Sequence, residues 1–144
     1  PAAFGLVVGN ILLHDTVSWW GVSSVTFLIL LLPFFVSGVR MKRFGSIGSF
    51  LITYSVFLLL QQNISPLATI IDPTVIFFAI TMLPEPMTSP VALQRQVFFG
   101  GFVASLATLY FYLPFTRNLL PANLLPDGLL PFLLLGNLIF FKFR

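Results

Sequence analysis

An all-α, polytopic transmembrane helical domain of about five to six segments, one of them broken or a half-helix, is the fold class that this sequence predicts. Hydrophobic residues make up 58% of the 144 residues and charged residues only 8%, whereas soluble domains carry roughly 25% charged residues. The mean hydropathy is +1.03. Three windows, at residues 16–39, 44–71 and 96–116, carry no charge. Each is longer than the roughly 20 apolar residues that cross a hydrocarbon core as a helix.

Six apolar segments are expected, and their charged flanks predict an orientation. The segments are Ala2 to Leu13, Gly21 to Val39, Ser46 to Gln61, a composite Leu67 to Leu83, Val97 to Leu113, and Gly128 to Phe141. Alternation across a bilayer places six of the seven basic residues on one side: Arg40, Lys42, Arg43, Arg95, Lys142 and Arg144. By the positive-inside rule that side is cytoplasmic. The predicted localisation is therefore the bacterial inner membrane, with the basic loops cytoplasmic.

The composition also excludes several chemistries. The chain has no cysteine and a single histidine, His14, which disfavours thiolate metal sites, bis-histidine haem ligation and zinc or di-iron centres. The basic residues lie at the ends of apolar segments, which argues against nucleic acid as a partner. The chain begins with Pro1 and ends on a basic run at Arg144. We interpret residues 1–144 as one transmembrane domain from a longer polypeptide.

The composite segment contains the pair Asp72-Pro73. Proline lacks an amide proton and disfavours helical geometry in the residue before it, so an uninterrupted helix is not expected here. The sequence predicts two half-helices, or a re-entrant loop and one half-helix. Asp72 is expected either to cap the second half-helix through its side-chain oxygen or to contact a ligand directly.

The highest density of polar side chains follows this segment. Residues 83–90 read Leu-Pro-Glu-Pro-Met-Thr-Ser-Pro, and Gln94-Arg95-Gln96 stand at the start of the next helix. Ionisable groups at membrane depth are costly, so such a cluster favours a functional site. The candidate cofactor-binding residues are Asp72, Glu85, Thr88, Ser89, Gln94 and Arg95. Two structural alternatives stay open: a plain turn with Glu85 paired to Arg95, and Thr88 or Ser89 acting as a helix N-cap.

The stretch Phe77 to Pro90, with Glu85-Pro86 before Thr88-Ser89-Pro90, resembles a segment of RnfD, a membrane component of the Rnf electron-transport complex. It is similar as well to the corresponding region of NqrB, a membrane component of the sodium-translocating NADH:quinone reductase; the two form the NqrB/RnfD family. The resemblance implies a membrane protein that binds flavin, as FMN or riboflavin, and carries electrons within an oxidoreductase complex, in some cases coupled to ion transport.

One signature of that family, the Ser-Gly-Ala-Thr whose threonine carries covalent FMN, does not occur in this chain. Either that site lies in another part of the polypeptide, or flavin is held noncovalently or not at all. The basic carboxyl end is similar to the junctions at which membrane domains join ferredoxin-NADP reductase-like domains.

The leading hypothesis is a membrane-embedded, flavin-associated electron-transfer domain. Its expected partners are the lipid bilayer and other subunits or a fused soluble reductase domain. Broken helices also mark transporters, so a small-solute channel or transporter domain is the alternative. A non-catalytic membrane anchor is a third reading.

Overall fold

A computed structural model describes residues 4–5, 8–9, 36, 39–40, 42–60, 72–85, 89–112 and 129–140. Its elements are α1 (Phe44–Leu60), α2 (Pro73–Phe77) continuing directly into a π-helix (Phe78–Met82), α3 (Leu93–Tyr112) and α4 (Leu129–Phe140). The segments predicted at 46–61, 97–113 and 128–141 correspond to α1, α3 and α4, with bounds that differ by four residues or fewer. Those predicted at 2–13 and 21–39 lie largely outside the described residues.

The transmembrane part of the predicted fold class is wrong for the described helices. None of them combines the length and the apolar character needed to cross a bilayer. Helix α1 has 17 residues and α4 has 12, or about 26 and 18 Å, against a hydrocarbon core of about 30 Å. Helix α3 has 20 residues, but polar residues and glycines are distributed along it.

The prediction of an integral protein of the inner membrane, with cytoplasmic basic loops, is wrong on the same ground. So is the description of the chain as a membrane protein that transports ions. The channel, transporter and membrane-anchor alternatives depended on the same spanning helices.

Helices α1 and α3 pack in parallel, so that their amino termini lie next to each other. Gly45 of α1 lies against Leu93 and Gln96, at the start of α3, whereas Thr53 lies against Gly101, farther along. Gly100 lies directly on the α1 backbone, because a Cβ there would overlap the carbonyl oxygen of Ser46. The two helix axes therefore approach closely where glycine faces serine.

Helix α4 packs antiparallel to α3 through aromatic rings. The rings of Phe132 and Tyr110 are 5.4 Å apart, and those of Phe140 and Phe99 are 5.6 Å apart. Since the residue numbers rise on one helix as they fall on the other, the two helices run in opposite directions. A single apolar cluster joins both contacts, and the π-helix joins it through Phe78.

Helix α2 begins where the proline predicts. Asp72 is its N-cap, and its Oδ1 accepts a hydrogen bond from the amide of Thr74 at 2.7 Å. The capping prediction for Asp72 is confirmed. Leu83 N–H then donates to the carbonyl of Phe78 at 3.0 Å, a π-type bond that spans five residues. The half-helix thus contains one widened turn before the chain reaches Glu85.

Candidate functional site at the paired amino ends of α1 and α3

Arg43, directly before α1, ties that helix to the turn before α3. Its side chain is 6% exposed, and Nη1 donates to the carbonyl oxygen of Ser89 at 2.9 Å and to that of Pro90. Burial lowers the pKa of Arg43 from its usual value, although a guanidinium keeps its charge in proteins. Arg43 therefore places a buried cation between the start of α1 and the polar segment.

Gln96, in the first turn of α3, makes the second connection. It is 2% exposed, and its Nε2 donates to the carbonyl oxygens of Val91 at 2.7 Å and Lys42 at 3.3 Å. The left-handed φ of 52° at Lys42 belongs to the turn that carries this carbonyl. Gln96 Oε1 is buried and accepts no hydrogen bond from the residues that the structure describes. It lies 2.9 Å from where a Cβ on Gly45 would stand, so it faces the first turn of α1.

The electrostatic potential at this end of the molecule is positive. A helix amino terminus carries about half a positive charge from its unpaired N–H groups, and here two such ends lie side by side. Neither α1 nor α3 has an acidic residue in its first turn. Lys42 and Arg95 add exposed positive charges to the buried Arg43. Among the described residues, this end also holds one carboxylate, that of Glu85, so the balance of Arg43, Lys42, Arg95 and two helix amino ends against it still favours a further negative charge.

Ser89 and Glu85 are brought together by the fold. The Ser89 amide and hydroxyl both donate to the carbonyl oxygen of Glu85, at 3.0 and 2.8 Å. The Ser89 side chain is buried and holds this turn closed, while its own carbonyl receives Arg43. Ser89 therefore positions the Glu85–Pro90 turn beside α1.

The other predicted site residues occupy different places. Asp72 is exposed at the far end of the α2 and π-helix segment, roughly 15 Å of helix away from Glu85. Gln94 and Arg95 are exposed in the first turn of α3, and both Arg95 and Glu85 take part in further interactions. Thr88 lies outside the described residues. The described fold gathers Glu85, Ser89 and the start of α3, and it leaves Asp72 apart.

Arg43 and Gln96 are the two residues that sequence reasoning left out of the predicted site. The positive-inside rule uses Arg43 as an orientation signal, yet a basic residue at a helix amino end opposes the macrodipole, which indicates another role. Gln96 shares its helical face with the buried Phe99, Val103 and Ala107, which follow it in the sequence by three, seven and eleven residues. That periodicity predicts a buried carboxamide.

No protein-family model matches the chain, and no curated protein or solved structure matches it either. The resemblance to membrane components of the Rnf complex and the sodium-translocating reductase thus stays a prediction. The prediction of a membrane flavoprotein of electron transport is wrong in its membrane part, because no described helix could cross a bilayer, and no comparison supports its flavoprotein or electron-transport part.

Proposed function

We propose that this chain is a flavin-associated electron-transfer domain that passes electrons to or from a soluble reductase, either a partner or a fused domain. The observation that carries the proposal is the anchoring of the Glu85–Pro90 turn by the buried Arg43. This contact places the segment that resembles the flavin-binding family beside two helix amino ends. A polar, positively charged site is thereby built where the resemblance implies a cofactor.

The residues at this site fit a flavin. One edge of the isoalloxazine ring alternates hydrogen-bond acceptors with an N–H donor, and FMN adds a phosphate. Arg43 is a buried donor and Gln96 Oε1 is a buried acceptor for which the described residues supply no donor, and both suit the phosphate group of FMN. A bound flavin supplies the redox chemistry, while the chain binds it, orients it and limits access of water. Gln94 and Arg95, exposed at the same helix end, are placed to contact the outer part of the ligand.

A flavin titration of the purified protein tests the proposal. We expect FMN to bind with quenching of its fluorescence and to co-purify with the protein. Gln96→Met should weaken binding at least tenfold, because it removes the unpartnered acceptor and keeps the side-chain length. Arg95→Ala should weaken retention to a smaller extent, since its guanidinium lies on the exposed side.

Asn137→Leu is the matched control, because it removes another buried carboxamide whose oxygen has no partner, on α4. Its flavin affinity should equal that of the wild type. Absence of FMN and riboflavin binding in a folded wild-type protein would show that the proposed function is wrong. Equal affinity in the wild type and Gln96→Met would show that the flavin lies elsewhere.

A further inference from the structure

We propose that the paired amino ends of α1 and α3, with Arg43 and Gln96, form a recognition site for a phosphate group that carries a proton. The site would take the phosphate of a phosphomonoester or free inorganic phosphate, and it would discriminate against sulfate. This inference rests on the proposed function in one respect, the identification of FMN as the molecule that carries the phosphate. The site itself follows from the described residues.

The first requirement of a phosphate site is a source of N–H donors and positive potential. Two parallel helices of 17 and 20 residues begin side by side, and each amino end presents backbone N–H groups that favour anions. Parallel packing brings like dipole ends together, which is unfavourable unless negative charge lies between or beside them. Helix α4 runs the other way, and Phe140 at its carboxyl end contacts Phe99 and Phe102, so one negative dipole end lies about one turn from Gln96 and is set against the two positive ends.

The second requirement is a charged group that is held in place. Arg43 is 94% buried, since its side chain is 6% exposed, and buried cations are normally paired with an anion. Its contacts in the described part of the chain are the carbonyls of Ser89 and Pro90, both reached through Nη1. Carbonyls orient the guanidinium without neutralising it. Since Nη1 makes both contacts, Nε and Nη2 are the donors that the proposed site offers to an anion, with the planar geometry that suits phosphate.

The third observation selects phosphate over other anions. Gln96 Oε1 is buried and unpartnered, and it faces the first turn of α1 beside Gly45. A buried acceptor without a donor is costly, by about 1–3 kcal/mol. A fully ionised anion such as sulfate offers only acceptors and would be repelled by this oxygen. A phosphate that retains one proton donates its P–O–H to Oε1 and accepts from Arg43 and the helix amides.

Access to the buried oxygen is controlled by one exposed side chain. Leu93 Cδ1 lies 3.0 Å from the same Gly45 Cβ position that Gln96 Oε1 approaches to 2.9 Å, so Leu93 covers this point. The Leu93 side chain is 68% exposed, and exposed side chains change rotamer within nanoseconds. In the proposed site, rotation of Leu93 exposes Oε1 to the incoming phosphate.

Calorimetric titration with inorganic phosphate and with sulfate, at about pH 6 where phosphate groups keep a proton, tests the selectivity. We expect phosphate to bind at least tenfold more tightly than sulfate. Gln96→Met should remove this preference by weakening phosphate binding while sulfate binding stays constant. Equal affinity for both anions, or a preference that survives Gln96→Met, would overturn the proposal.

Controls separate charge and folding effects from the site itself. Arg40→Gln removes an exposed positive charge before α1 and should weaken both anions by the same factor, about twofold or less. Arg43→Lys keeps the charge but loses the planar geometry, and it should weaken phosphate at least tenfold. If Arg43→Lys fails to fold, Gln96→Met alone decides, because it leaves the Arg43 contacts intact.

A second titration identifies the phosphate carrier and separates this inference from the proposed function. FMN should bind at least tenfold more tightly than riboflavin, and inorganic phosphate should compete with FMN but not with riboflavin. If both flavins bind equally and phosphate does not compete, the phosphate site is wrong and the flavin function stands. If phosphate binds selectively and neither flavin binds, the phosphate site stands and the flavin function is wrong.

Discussion

The two faces of α3 are packed by different principles. Toward α1, small residues meet, and Gly100 lies against the main chain of Ser46 and the hydroxyl group of Ser49. Toward α4, large rings meet, with Phe99 and Phe140 in edge-to-face contact. The first face is limited by backbone, which cannot move without moving the helix. The second is limited by side chains, which can adopt other rotamers. The same added volume should therefore have very different costs on the two faces.

Gly100→Ala should produce the largest effect, because its Cβ would overlap the carbonyl oxygen of Ser46. Helices α1 and α3 would have to separate, which disturbs the Arg43 and Gln96 connections at their amino ends. We expect a loss of about 3 kcal/mol in the free energy of unfolding. Urea denaturation followed by circular dichroism measures it, and a loss below about 1 kcal/mol would contradict the close approach of the two backbones.

Asn137→Leu, a substitution on α4, should increase stability, in contrast to Gly100→Ala. Asn137 is buried on α4, and its Oδ1 has no hydrogen-bond partner. Leucine has a similar volume and no polar atom to desolvate, so the free energy of unfolding should rise by about 1.5 kcal/mol. The same urea experiment gives the value. A destabilised variant would mean that the carboxamide has a function in packing.

Gly136→Ala places a methyl group on the α4 face that meets α3. Its Cβ would stand 2.8 Å from Val103 Cγ2 and 3.1 Å from Phe99 Cε2, both of which belong to side chains. Rotamer adjustment should absorb the clash, and the gain in helix propensity of about 1 kcal/mol partly offsets it. We expect a net loss of about 1 kcal/mol in thermal or urea unfolding. A cost equal to that of Gly100→Ala would remove the distinction between the two faces.

Gly48→Ala provides the reference for both glycine substitutions. Gly48 lies in α1, and no heavy atom from another part of the described chain lies within 4 Å of its Cβ position, so among these residues alanine changes only helix propensity. Stability should rise by about 0.5 kcal/mol. A fall would show that α1 is contacted at Gly48 by residues beyond those the structure describes.

The helices α1, α3 and α4 could be predicted from apolar runs, and the start of α2 from the chemistry of one proline. The transmembrane prediction is wrong because the length of a charge-free window does not give the length of the helix inside it. The window at 44–71 contains α1, which ends at Leu60, and α3 begins at Leu93 rather than Val97, so that Arg95 and its two glutamines lie within the helix. Charge counts do not locate helix ends.

The candidate site could be predicted only in part from the sequence. The turn at Glu85 and Ser89 was recognisable from its prolines and hydroxyls, and the fold closes it by local hydrogen bonds. Arg43 belongs to the site through a contact across 46 residues, and no local pattern encodes such a pairing. Asp72 was predicted both as a cap and as a ligand, and the structure describes the cap.

The widened turn at Phe78–Met82 determines the direction in which the chain leaves this helix. An α-helix advances by about 100° for each residue, and the bond from Leu83 to Phe78 encloses one residue more than an ordinary helical turn. If the same residues were wound as a uniform α-helix, the extra residue would rotate the exit of the segment by about 100°, more than a quarter of a revolution. Ser89 and Pro90 would then lie in another direction, and their carbonyls would be out of reach of the Arg43 guanidinium that now donates to them.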